Sequence, residues 1–203
     1  MGYSSLRFHL LVLCAFFLIS TSVGFGQDTT TSRVYSVSLA TGSILKNYPS
    51  FPDRGLMALG SASLGWQTYG HSAWQQDFRY PVLGLNIVAG STGNQHVLGN
   101  LLAVMPYLSW SRGDLWKKEL KVGLGFAWYT KHFDALTNTD NTLIGSHLTN
   151  ITMVEFGLSR RLSSALALRF AFGFSHFSNG HTRLPNRSEE RRVGKECRSR
   201  WSP

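Results

Sequence analysis

The most constraining feature of this chain is an alternation of period two that returns along most of its length. Between Ala165 and Ser178 the even positions are Leu166, Leu168, Phe170, Phe172, Phe174, His176 and Ser178; the odd positions are Ala165, Ala167, Arg169, Ala171, Gly173, Ser175 and Phe177. Successive side chains of a strand point to opposite faces, so one face here is large and apolar and the other small or polar. Leu120–Tyr129 repeats the pattern, with Leu120, Val122, Leu124, Phe126 and Trp128 set against Lys121, Gly123, Gly125, Ala127 and Tyr129. Val154, Phe156 and Leu158 alternate with Met153, Glu155 and Gly157, and weaker versions lie near 34–41, 57–67, 81–89 and 101–110. A helical period of 3.6 is absent, so the chain is read as all-β.

Several of these seven candidate strands reach ten residues or more. Ordinary globular strands are shorter, about 5–6 residues, whereas tilted membrane strands need about 9–11. A face of Gly, Ala, Ser, Lys, Arg and Glu cannot meet lipid and should line a lumen, leaving Leu, Phe and Trp outside. That inside-out pattern predicts an antiparallel outer-membrane β-barrel. Trp66, Trp110 and Trp128 stand near strand ends, as an aromatic girdle requires. A soluble ligand-binding barrel would invert the two faces, and alternation alone does not orient them. Turn residues cluster at Asn47–Gly55, Ser91–Gln95, Ser111–Asp114 and Asp134–Gly145. Bacterial barrels have even strand numbers, so seven candidates imply an eight-stranded barrel whose last strand is missing from this chain. Seven strands alone would leave two unpaired edges, at several kcal/mol for each unsatisfied backbone group in lipid.

The two ends read differently from the body. Arg7 followed by the apolar run Leu10–Ile19 and small residues at Ser20, Ser22, Gly24 and Gly26 fits a signal peptide over residues 1–26. Cys14 follows Leu13, where a lipoprotein signal would want a small residue. Residues 187–203 hold nine charged side chains and no alternation. They match, residue for residue, the in-frame translation of a common short-read sequencing adapter. The expected organisation is therefore a leader at 1–26, an incomplete barrel domain at 27–186, and a non-native tail at 187–203. Cysteine occurs only at Cys14 and Cys197, so the body offers no disulfide or metal-thiolate chemistry.

The formal charge of +9 is a weak guide to partners. The tail contributes +3 and Arg7 a further +1, leaving +5 spread through the body without a basic cluster. Nucleic-acid binding is not indicated. No phosphate loop or paired-His zinc motif occurs, and neither a metal nor an organic cofactor is expected. Asn150-Ile151-Thr152 fits a glycosylation acceptor but carries little meaning within a bacterial barrel strand. His71, His96, His132, His147 and His181 fall in or beside loops and are read as solvated.

His176 and Ser178 are the exception. Two residues apart on one strand, they share the face of Phe170, Phe172 and Phe174. A lipid ester would lie beside them, and an imidazole at this spacing can approach a hydroxyl as a general base must. A polar girdle marking the end of the strand explains the same two residues.

The segment His176–Asn186, HFSNGHTRLPN, resembles the signature of the outer-membrane lipid A 3-O-deacylase family and its relatives, the acyloxyacyl hydrolases. The similarity continues through WQQDFRYPVLG (Trp74–Gly84) and IGSHLTN (Ile144–Asn150), and covers roughly residues 33–186. It implies an eight-stranded barrel with its active site on the outer wall, Ser178 as nucleophile and His176 as general base. Asn186 would support the oxyanion, and Asn179 belongs to the motif with a turn-forming role equally open. The family's triad is completed by an acid shortly after the motif. Glu190 has about the right spacing but lies in the adapter-like run, so its position is attributed to chance.

The expectation is an outer-membrane serine esterase of a Gram-negative bacterium. It would act on the lipid A of lipopolysaccharide and be inactive in the truncated form. Membrane lipid is an expected partner and homodimerisation is left open. The alternative is a non-catalytic structural or adhesive barrel.

Overall fold

A computed structural model describes residues 16–25 (backbone alone), 33–45, 52–53 and 55–179. Among these residues run eight strands: β1 (Phe16–Phe25), β2 (Arg33–Ile44), β3 (Met57–Gln67), β4 (Val82–Ser91), β5 (Asn100–Arg112), β6 (Trp116–Tyr129), β7 (Leu148–Arg161) and β8 (Leu166–Ser178). A short helix, α1 (Ala73–Asp77), lies between β3 and β4. Each strand pairs antiparallel with its neighbour in sequence, and β1 also pairs with β8, closing the sheet into a barrel. No described helix is long and apolar enough to cross a membrane, which says nothing about strands.

Strands β2–β8 coincide with the seven alternating segments, most of them extended by a few residues at their ends. The eighth place in the ring is filled from the other end of the sequence than expected. Phe16–Phe25, part of the leader-like segment, pairs with both β2 and β8, so the two edges that seven strands would leave are both satisfied. The physical reason is local. After the apolar Phe16–Leu18, the segment reads with period two, Ile19, Thr21, Val23 and Phe25 against smaller Ser20, Ser22 and Gly24. Any such segment can satisfy an open pair of strand edges.

The two faces lie as the alternation requires. Leu39, Leu124, Phe126, Phe156 and Phe172 stand exposed on the outer wall, Leu124 at 65%. An exposed apolar band of this extent marks a surface that meets another apolar phase. Inward positions are small or polar where the ring is tight. A Cβ added at Gly84 would run into the Tyr107 ring, and one at Gly65 into its hydroxyl and Val82, so both glycines make room for Tyr107 in the lumen.

The lumen has two unlike halves. Near the ends joined by residues 92–99 and 130–147 (the loop end), Met57, Leu59, Leu101, Met105, Ile151 and Met153 form an apolar core. The two connecting segments interlock over it. The side-chain amides of Asn138 and Asn141 both donate to the Val97 carbonyl, at 3.0 and 2.9 Å, and Leu98 is wholly buried beneath them. At the opposite, turn end, Arg169 pairs with Glu119 and Glu155, each at 2.6 Å, and Ser159 donates a hydrogen bond to Glu119. A cavity of about 210 Å³, lined partly by Ser36, Ser63, Tyr107 and Lys121, opens beside these charges.

Candidate active site on the outer wall

β8 carries both residues singled out by the sequence. Phe170, Phe172 and Phe174 are exposed on the outer wall, while Ala171, Gly173 and Ser175 are buried inside. Continuing the same alternation puts His176 and Ser178 on the outer face, half-buried, at the loop end. Two residues of strand separate their Cα atoms by about 6.8 Å. Between them Phe177 faces inward and packs on the apolar core, with its ring edge-on to buried Tyr129 at 5.6 Å.

Pairing with β7 surrounds this couple with polar neighbours. Thr152 lies directly opposite His176 and Asn150 directly opposite Ser178. Cβ atoms of such cross-strand partners are about 4.5–5.5 Å apart. Beyond them on β6 come Leu124 and Phe126, the partners of Thr152 and Asn150. A polar patch of four side chains is thus set into an apolar wall. Asn150 was weighed in the sequence only as a glycosylation acceptor. Its place across from Ser178 depends on the β7–β8 register, for which the sequence carries no local signal.

The Nδ1 atom of His176 is buried and makes no hydrogen bond among the described residues. A base imidazole is ordinarily oriented through the nitrogen that does not meet the nucleophile. Asn179 is described and half-buried just past the strand. Asn186, His181 and Glu190 lie outside the described residues, as do Cys14, Cys197 and the run 187–203.

Two histidines read as solvated are not. His147 and His132 are half-buried in the 130–147 segment. His147 donates Nδ1–H to the Tyr129 carbonyl at 2.7 Å and lies flat on Trp128, ring centroids 4.9 Å apart and planes within 7°. His132 sits 4.1 Å from His147, ring to ring. These contacts give His147 a structural role in holding the long loop to the end of β6. His71 and His96 are exposed, as expected. Among the described residues no group of three or more His, Cys, Asp or Glu could hold a metal ion.

The chain matches the model of a protein family described as lipid A 3-O-deacylase (PagL) over residues 60–191. It belongs to that family. The lipid A 3-O-deacylase match takes in most of β3, all of β4–β8, the outer-wall couple His176 and Ser178, and the motif that follows. β1 and β2 fall outside it. No curated protein and no solved structure matches the chain.

Proposed function

We propose that the protein is an outer-membrane serine esterase that hydrolyses the 3-O-linked acyl chain of lipid A in lipopolysaccharide. The observation that carries the proposal is the buried Nδ1 of His176, without a hydrogen-bond partner among the described residues, two residues from Ser178 on the outer wall and within the segment matched by the deacylase family. A substrate whose ester lies at the headgroup boundary reaches that wall laterally, without leaving the membrane.

In the mechanism His176 takes the proton of the Ser178 hydroxyl as Oγ attacks the ester carbonyl. The carbonyl electron pair moves onto oxygen, where Asn186 and the side-chain amide of Asn150 are candidate donors. One such donor is worth about 3 kcal/mol in the transition state. Collapse returns the pair, breaks the bond to the sugar oxygen, and His176 protonates the departing alcohol. Water, deprotonated by the same imidazole, then clears the acyl-enzyme. An acid beyond the motif would hold Nδ1 of His176 and stabilise the imidazolium. No step calls on a metal or organic cofactor.

The leader reading gives export through residues 1–26. Its removal would vacate the place of β1 between β2 and β8, the place that a strand following the motif would take. In this proposal the chain ending in the adapter-like run is inactive, and a chain continued with its own acid and strand is active. The test is mass spectrometry of lipid A from cells expressing the continued chain. Ser178→Ala is expected to abolish the loss of one hydroxyacyl chain, and retained deacylation would refute the assignment. Labelling of Ser178 by a fluorophosphonate separates this enzyme from a non-catalytic structural or adhesive barrel, which would not react.

A further inference from the structure

One segment is too long and too well built for a simple turn. At the turn end two connections are short, residues 113–115 and 162–165, but β3 and β4 are joined by fourteen residues, 68–81. This segment is tied down by its own side chains. Gln75 Oε1 accepts from the backbone N–H of Gly70 and His71, both at 2.9 Å, and Gln76 Nε2 donates to the Gly70 carbonyl at 2.9 Å. Thr68 donates its hydroxyl to the Pro81 carbonyl at 2.7 Å, and Gln67 Nε2 donates to Tyr80 at 2.8 Å. Arg79 and Tyr80 hold left-handed backbone, φ 58° and 56°. Neither is glycine, so this conformation is strained and persists only because the surroundings impose it.

The product of this construction is an outward aromatic surface. Tyr69, Trp74, Phe78 and Tyr80 are all exposed, and α1 buries no residue. The segment is also pinned to the outside of the barrel. Trp110 on β5 donates its indole N–H to the Phe78 carbonyl at 2.7 Å. The Phe78 end of the segment is therefore held against the outer wall at the level of Trp110. Aromatic rings with a polar edge and an adjacent guanidinium prefer the boundary between hydrocarbon and headgroups.

We infer that residues 68–81 form an interfacial foot that seats the turn end of the barrel in the headgroup layer of a phospholipid leaflet. The inference rests on the membrane-spanning reading above. Its occupant is the lipid headgroup layer itself, with aromatic rings towards the acyl chains and Arg79 at the phosphates.

The experiment uses full-length chain with Cys14→Ser and Cys197→Ser, labelled with an environment-sensitive fluorophore at one introduced cysteine. Trp74→Cys and Phe78→Cys report on the foot, Leu85→Cys on the outer wall, and Thr139→Cys on the exposed loop. Folding of each variant in phosphatidylethanolamine–phosphatidylglycerol vesicles is checked by heat-modifiable migration. Both foot labels are expected to lose most of their emission to headgroup nitroxide lipids and less to mid-chain ones. The Leu85 label should show the reverse order, and Thr139 little quenching by either. Foot labels that behave like Thr139 while Leu85 is quenched overturn the foot and leave the barrel in the membrane. An unquenched Leu85 label overturns the membrane reading and the foot with it. Shielding of the foot labels that disappears on dilution would assign the surface to a second copy of the chain instead.

Discussion

Towards the loop end the barrel lumen is filled by Met57, Leu101, Met105, Tyr129 and Met153 and capped by two interlocked segments; towards the turn end it holds Glu119, Glu155, Lys121 and Arg169 around a cavity. The filled half lies behind His176 and Ser178. The charged half lies several residues further down β8, behind the lipid-facing phenylalanines. A strand wall backed by close-packed side chains is stiff, which suits the catalytic role proposed for this couple. The open half has no such demand, and there polar groups satisfy one another across the ring.

The difference can be tested by breaking each half in turn. Arg169→Met takes from two facing carboxylates the cation that bridges them, leaving only Lys121 nearby among the described residues, and loss of one partner of a buried pair costs about 3–5 kcal/mol. With this and the following variants made in the chain continued with its own acid and strand, urea unfolding in a bilayer should show that loss, and deacylation per folded molecule should stay near the unmodified level. Replacing Glu119, Glu155, Arg169 and Lys121 together by apolar residues of similar size should recover most of the stability, because the cost lies in the unpaired charge.

Phe177→Ala sharpens the contrast. This side chain packs on Tyr129 beneath the strand segment that carries His176 and Ser178. Its truncation should cost about 3 kcal/mol in stability. Unlike Arg169→Met, it should also lower kcat in the folded fraction, since the outer-wall couple loses its support. Equal activity per folded molecule in the two variants would show that the filled half is not what holds the couple.

The smallest expected effect lies in the cap. The Asp134 carboxylate accepts backbone N–H bonds from Leu136 and Thr137, at 2.9 and 2.8 Å, and these hold its pKa below the usual value. A depressed carboxylate contributes order above its unfolded pKa of about 3.9 and loses it as pH falls through the lower folded value. Hydrogen exchange at Leu136 and Thr137 should therefore quicken only in that acid window. Asp134→Asn should remove the pH dependence while leaving the barrel intact.

The strands, their faces and the couple on β8 were legible in the sequence because they depend on nearest-neighbour geometry. Alternation assigns Phe172 and His176 to one face and Gly173 and Phe177 to the other whatever the rest of the chain does. The two-part lumen was not legible. Period two groups Glu119 with Lys121, and Arg169 with Gly173, on one face of its strand, but does not say which residues of different strands meet, because that depends on stagger between strands. For the same reason Asn150, set opposite Ser178 by register, carried no local signal. His147 looked like a loop residue because its partners, the Tyr129 carbonyl and the Trp128 ring, come from the end of β6, and the chain returns to them only after a long loop.

By itself the sequence determined a β-barrel pattern with lipid-compatible outer positions, and through one eleven-residue motif it pointed to a serine–histidine couple and a family. These follow from side-chain type and spacing along a strand. Tertiary structure alone decided which segment occupies the eighth place in the ring, how the ion triad closes across β6, β7 and β8, and that residues 68–81 form a braced aromatic surface. Each of these brings together groups far apart in the chain, and their energies depend on distances that only the closed sheet sets.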